Sequence, residues 1–305
     1  MSTRPRTCLS TRRLRAARWL IGGLVTLLAA DCTAPPRQTD TAWACGEHES
    51  VPLAAHTGSR GYLLNNLWHA HQGDTAGRQC TALSSSPAPG GGETWTTNWA
   101  WSGDPQQVKS YAGDVHGWHW GWRVHGSGLP VPVDGTTPVT TDWAFSVTPG
   151  TTGAYDVSYD LWLHAQHAPS ATQAPSGEIM LWLDRAGAHT VTGRVLGSYH
   201  LAGAPWTLYR DDTGPWPVYK FVRSTDTTAV TGLNLRDFTD CLQGLHLLRA
   251  SLYLTGIEAG AEVFHGFGGL TTTDYHLTLT GPHRSPDSAS RGRSGAADSV
   301  AGAAA

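Results

Sequence analysis

The stretch Tyr155–His164 reads YDVSYDLWLH, and Gly177–Leu183, shortly after it, reads GEIMLWL. Successive side chains of a strand point to opposite faces, so each stretch divides into two sets. One set holds Tyr159, Leu161 and Leu163 in the first stretch and Ile179, Leu181 and Leu183 in the second. Those apolar faces belong in a core between sheets. The other set holds Asp160, Trp162 and His164, then Glu178, Met180 and Trp182. A carboxylate beside a large aromatic, twice over, suits a sugar-binding cleft. The competing reading of Glu178 is a charge at a strand edge.

Working outward, the same period recurs in Trp206–Tyr209 (WTLY), Val218–Val222 (VYKFV), Ser251–Ile257 and Tyr275–Thr280. Gly, Pro, Asp and Ser clusters separate these runs, as in a β-sandwich or barrel. Composition agrees. The 305 residues include 36 Gly, 18 Pro and 14 Trp, and only 15% are charged, which argues against a helical bundle or coiled coil. One segment departs from the pattern. Leu235, Phe238, Leu242 and Leu245 have helical spacing, which predicts one helix over 233–249 on the outside of a sheet. No internal repeat is visible.

The ends of the chain read differently. Residues 1–18 carry six Arg and no acid, and Trp19–Ala30 is an apolar run of 12. A membrane span needs about 20 apolar residues. The pattern is instead that of a secretory signal peptide over 1–30. Its removal takes the 21 Lys and Arg down to 15 against 24 acidic residues, a net charge of −9. An acidic chain has no basic footprint for nucleic acid. Residues 31–42 read as a polar linker and 282–305 as a disordered tail, since the tail has too little apolar surface to fold. The folded unit spans 43–281. Cys32 after the apolar run admits a lipoprotein variant of the leader, although Asp31 fits it poorly. Export makes disulfides expected, and Cys32, Cys45, Cys80 and Cys241 allow three pairings.

A second carboxylate, Glu262, lies in Gly260–Gly266 (GAEVFHG). Two carboxylates on different strands, facing each other across a cleft, meet the requirement of glycoside hydrolysis.

Seven stretches in order resemble family 12 glycoside hydrolases. They are Asn65–Trp68 with Gln79–Cys80, Trp99–Gly103, Val108–Tyr111, Tyr159–Trp162, Glu178–Leu183, Trp206–Tyr209 and Gly260–Phe264. The resemblance implies a β-jelly-roll sandwich of two antiparallel sheets, a concave substrate cleft and one packed helix. It also implies a secreted endo-β-1,4-glucanase. Glu178 matches the nucleophile, Glu262 the general acid/base, and Asp160 the aspartate that hydrogen-bonds the nucleophile. Trp68 matches an aromatic platform for glucose with Asn66 beside it, and Cys45 and Cys80 match a disulfide. That leaves Cys241 as a buried free thiol on the helix. A retaining mechanism holds the two carboxyls about 5–5.5 Å apart and passes through a covalent glycosyl-enzyme.

Trp162 and Met180, on the carboxylate-bearing faces, are further candidates for substrate contact. In HGWHWGW, alternation puts Trp118, Trp120 and Trp122 on one side, and Trp120 is the candidate there. Trp99, Trp101 and Trp143 are expected inside the sandwich.

Three positions depart from the resemblance: Val263 in place of Pro, His69 in place of Gly, and Glu258 in place of Gln. Parity puts Glu258 on the face of Glu262. It is therefore expected to bind a substrate hydroxyl or to raise the acid/base pKa, moving the alkaline limb of the pH profile upward. The His69/His71 and His116/His119/His125 groups lack a metal-ligand spacing, so no metal or cofactor is expected. The expected partner is a β-glucan polysaccharide, with no stable membrane span and a monomeric enzyme. The alternatives are a xyloglucan-specific endoglucanase and a non-catalytic glucan-binding jelly-roll protein.

Overall fold

The computed structural model describes residues 43–53, 60–70, 73–120, 122–124 and 126–279. The expected signal peptide, linker and tail, with Cys32, His71 and His125, lie outside the described residues.

In chain order the strands begin β1 (Glu49–Pro52), β2 (Gly61–Asn66), β3 (Gly77–Leu83), β4 (Trp95–Trp101) and β5 (Ser110–His119). They continue with β6 (Trp122–Arg123), β7 (Val131–Pro132), β8 (Val139–Val147), β9 (Ala154–His164) and β10 (Gly177–Ala186). The last are β11 (Arg194–Leu201), β12 (Ala204–Asp211), β13 (Val218–Arg223), β14 (Ala229–Asn234) and β15 (Tyr253–Leu279), with helix α1 (Arg236–Gly244) before β15.

The cleft sheet runs β1-β2-β5-β15-β9-β10-β13-β12-β11, and the outer sheet holds β3, β4, β8 and β14. Strand β15 belongs to both. Its first half pairs β5 and β9, and its second half, from Gly266, pairs β4 and β8. The crossing lies at Gly266, whose φ is +100° and where a Cβ would come within 2.2 Å of the Thr152 carbonyl oxygen. Only glycine accepts both conditions. This is how one strand turns a corner between two packed sheets.

The period-two reading of the sequence holds for the two stretches that decide the fold. Tyr159, Leu161 and Leu163 of β9 and Ile179, Leu181 and Leu183 of β10 are fully buried. They share one core with Trp99, Trp101 and Trp143 of the outer sheet. Each such side chain contributes roughly 1.5–3 kcal/mol through burial.

Two expectations need correction. The sheets are not wholly antiparallel, because β10 and β13 pair in parallel. The helix is shorter than 233–249. Residues 229–234 pair with β8 as β14, and Leu233 fills the core from that strand. Helix α1 starts only at Arg236, where the Asn234 side chain accepts the Arg236 N–H at 3.3 Å. It ends at Gly244, followed by Leu245, which is 37% exposed, and His246 at φ +57°. Leu235 and Leu245 share helical spacing but fall on its flanks. Phe238 keeps the expected packing, edge-on to Trp206 and Phe221 at 5.0 Å each.

Candidate active site

The second faces of β9, β10 and β15 converge on one cleft of about 630 Å³. Register explains which side chains meet. Opposite residues of an antiparallel pair share a face. Glu258 stands opposite Asp160, and Glu262 opposite Asp156, across β15 and β9. Across β9 and β10, Trp162 stands opposite Glu178 and Asp160 opposite Met180. The parallel partner of Met180 is Lys220 on β13.

All nine site residues expected from the sequence line this cleft: Glu178, Glu262, Asp160, Asn66, Trp68, Trp120, Trp162, Met180 and Glu258. Trp68 is 47% exposed, as an aromatic surface open to a ligand must be. The Cys45–Cys80 disulfide is formed. Cys241 is free but only half-buried. The aromatic run is not one-sided. Gly117 at φ +81° interrupts β5, and Trp118 is buried, donating its N–H to the Ser170 carbonyl oxygen at 2.7 Å. Trp120 lies in the turn beyond β5 and lines the cleft, 5.1 Å from the Trp118 ring.

The sequence reading missed several participants. Trp216 lines the cleft and donates its N–H to Glu178 Oε2 at 2.9 Å. Asp156 is fully buried, accepts the Ser158 hydroxyl at 2.7 Å and stands directly opposite Glu262. Lys220 is the single Lys or Arg among the described lining residues, and it pairs with Asp211 at 3.3 Å. Asp156 was within reach of parity, since it is two pleats from Asp160 on the same face. Lys220 was not, because its position depends on a parallel pairing that pattern does not reveal.

The electrostatics follow from crowding acids in a site with one cation. Burial raises Glu178 most. The Trp216 N–H opposes it, the Glu262 charge adds to it, Lys220 opposes and Glu258 adds, leaving Glu178 pushed up to about 7. Asp160 lies well above the carboxylate range, first by burial and then by the charges of Glu178, Glu258 and Glu262. Burial also raises Glu262, against Lys220 and the hydrogen bond from Asp156.

Glu258 has two partners of its own in the cleft. Its carboxylate accepts the Trp162 N–H at 2.6 Å and contacts His119 Nδ1 at 2.7 Å. Its charge acts on Asp160 and Glu178, while the influences on Glu262 come from Lys220 and Asp156. Distance is the reason. Four residues along a strand separate side chains by about 13 Å, while a directly opposed pair is about 5 Å apart.

The histidines reach no common centre among the described residues. His119 joins Glu258 in the cleft. His116 lies on the core side with Glu93 and Asp114, their polar ends within 4.8 Å of one another. One imidazole and two carboxylates are ligand types for a divalent ion, but here they neutralise each other. Burial works against the imidazolium, yet the Asp114 charge and hydrogen bonds with both acids outweigh it and push His116 up to about 10.

Carboxyls in contrasting surroundings, set among rings that fit the faces of pyranose sugars, define a glycoside hydrolase. The chain belongs to glycosyl hydrolase family 12, whose profile matches residues 60–280. It is 30% identical over 225 residues to Endoglucanase S of Pectobacterium parmentieri, covering 72% of this chain and 81% of that protein. It is 31% identical over 241 residues to xyloglucan-specific endo-β-1,4-glucanase A of Aspergillus aculeatus, covering 77% and 90%. Among solved structures, the family 12 xyloglucanase from Bacillus licheniformis superposes with a TM-score of 0.69 at 27% identity, over 78% of this chain and all of that one. These neighbours share the jelly-roll fold. No helix among the described residues is long and apolar enough to cross a membrane.

Proposed function

We propose that the protein is a secreted, monomeric endo-β-1,4-glucanase that cleaves internal bonds of cellulose-type or mixed-linkage glucans with retention of configuration. The observation that carries this reading is the pairing of Glu178 on β10 and Glu262 on β15 within one cleft. Glu178 is steadied as an anion by the Trp216 N–H. Glu262 is half-buried and open to the cleft.

In the first step Glu262 gives its proton to the glycosidic oxygen while a Glu178 oxygen bonds the anomeric carbon. In the second, Glu262 takes a proton from water, which displaces Glu178. Asp160, a diagonal neighbour of Glu178 on the cleft face, is the group that tunes its ionisation. Trp68, Trp120 and Trp162 supply flat apolar surface for the sugar rings, with Asn66 and Met180 between them. The mutual repulsion of the acids keeps a proton available for transfer. Secretion rests on the leader over residues 1–30, and the mass of the exported chain tests it.

A xyloglucan-specific enzyme is the second reading, favoured by the names of the Aspergillus aculeatus and Bacillus licheniformis relatives. Reducing-sugar release from barley β-glucan, carboxymethylcellulose and tamarind xyloglucan distinguishes the two. Faster release from the first two supports the glucanase, and release from xyloglucan alone supports the second reading. Intact polysaccharide on all three, bound but uncut, leaves a glucan-binding protein. Proton NMR of the first product tests stereochemistry, with the β-anomer expected and the α-anomer contradicting retention.

A further inference from the structure

Asp156 stands directly opposite Glu262, one strand away, on the cleft face of the sheet. Its side chain is 0% exposed, while Glu262 is half-buried and reaches the cleft. One Asp156 oxygen, Oδ1, accepts the Ser158 hydroxyl at 2.7 Å. The other, Oδ2, is buried without an N–H or hydroxyl donor. Glu262 is the directly opposed residue on this face, so a hydrogen bond from it to Oδ2 would join two carboxyls and requires a proton. Of two acids sharing a proton, the more deeply buried one keeps it, because burial penalises the charged form.

We propose that Asp156 is a positioning residue for Glu262: it holds a proton of its own and donates it as a hydrogen bond to the Glu262 carboxylate. The inference rests on the acid/base role of Glu262 proposed above. When Glu262 passes its proton to the glycosidic oxygen, that oxygen takes the electron pair of the breaking C–O bond and Glu178 bonds the carbon. The Asp156 proton stays on Asp156 and steadies the new Glu262 anion. Water then returns a proton to Glu262, and Asp156 ends as it began. The arrangement makes Glu262 a stronger acid than its burial alone allows.

Several charged or titratable groups face the pair. Tyr111 of β5 stands opposite Glu262, and its hydroxyl donates to the Ser158 carbonyl oxygen at 2.9 Å. The charge of Glu262 raises Asp156, and Lys220 of β13 lowers both acids. Asp160 of β9, Glu178 of β10 and Glu258 of β15 occupy the same face. Exposed Arg185 of β10 is the register partner of Asp156.

The test is the pH dependence of kcat/KM on a soluble glucan for wild type, Asp156→Asn, Asp156→Ala and Glu262→Gln. Asn keeps an N–H donor toward Glu262 and an oxygen for Ser158, so its alkaline limb is expected at the wild-type position. Ala removes the donor, so Glu262 becomes a weaker acid and the alkaline limb moves to higher pH. An unmoved limb in Asp156→Ala, or an equal shift in both variants, overturns the proposal. If Asp156→Ala does not fold, infrared difference spectra of wild type against Asp156→Asn at neutral pH decide. A neutral carboxylic-acid carbonyl band lost in the variant is expected, and its absence overturns the proposal. Full activity in Glu262→Gln overturns the acid/base reading itself. An inactive Glu262→Gln with an unmoved Asp156→Ala limb overturns only the role of Asp156.

Discussion

Strand β5 separates two buried clusters of acid with opposite fates. On its core side Asp114 and His116 meet Glu93, and the His116–Asp114 contact is 2.9 Å. Here two acids share an imidazolium. On its cleft side Asp156, Asp160, Glu178, Glu258 and Glu262 gather around Lys220, which is already paired with Asp211. Here five acids share one committed cation. The first cluster is nearly neutral and closed between sheets. The second retains its repulsion, which adds to burial in raising Glu178 and Asp160. The lesson is that buried charge serves the fold where its partners balance it. Where they do not, and a cleft gives access, the imbalance holds protons ready for chemistry.

The comparison sharpens with variants. The largest expected effect on stability is in His116→Ala. Removing one partner of a buried ion cluster costs about 3–5 kcal/mol, and Tm falls about 2–4 °C for each of those. Activity per folded molecule stays near wild type, so thermal melts and active-site-normalised rates together check the claim. The sign follows from linkage. A histidine raised from 6.5 to about 10 gives its full stabilisation below pH 6.5 and loses it as pH rises through 10. The gap between wild type and variant should narrow at the alkaline end.

Next is Glu258→Gln. Its charge raises Glu178, so its removal lowers the pH at which the nucleophile ionises. The acidic limb of kcat/KM should move to lower pH while the alkaline limb stays. Movement of the alkaline limb alone would return Glu258 to the role first expected from its parity with Glu262. The smallest expected effect is in Trp68→Ala. A half-exposed ring stacking on sugar contributes about 0.5–1.5 kcal/mol, so KM should rise about 2–10-fold with kcat and Tm nearly unchanged.

Much of this was legible in the sequence because a strand repeats every two residues. The aliphatic faces of β9 and β10, the cleft faces opposite them and the parity of Glu258 all follow from that period. Family resemblance supplied the pairing of Glu178 with Glu262 and of Cys45 with Cys80. What pattern could not supply is register. The parallel pairing that brings Lys220 beside Met180 has no local signal. Nor does the choice of Asp156, and not Glu258, as the neighbour of Glu262. Leu235 and Leu245 fit a helical stripe, but pairing of β14 with β8 and the turn at His246 confined the helix to nine residues. Asp114 lies two residues from His116 on β5, but Glu93 comes from the segment before β4, so the meeting of all three is a tertiary fact.

The most direct measurement is Glu178→Gln at pH 8, scored for glucan hydrolysis and for Tm in the same preparation. A carboxyl raised from 4.5 to about 7 loses stability as pH rises through that window, and at pH 8 the loss is about 3 kcal/mol. The neutral amide escapes it. Hydrolysis should vanish while Tm rises. Retained hydrolysis would contradict the assignment of the nucleophile, and a lowered Tm would contradict the claim that the cleft stores unbalanced charge.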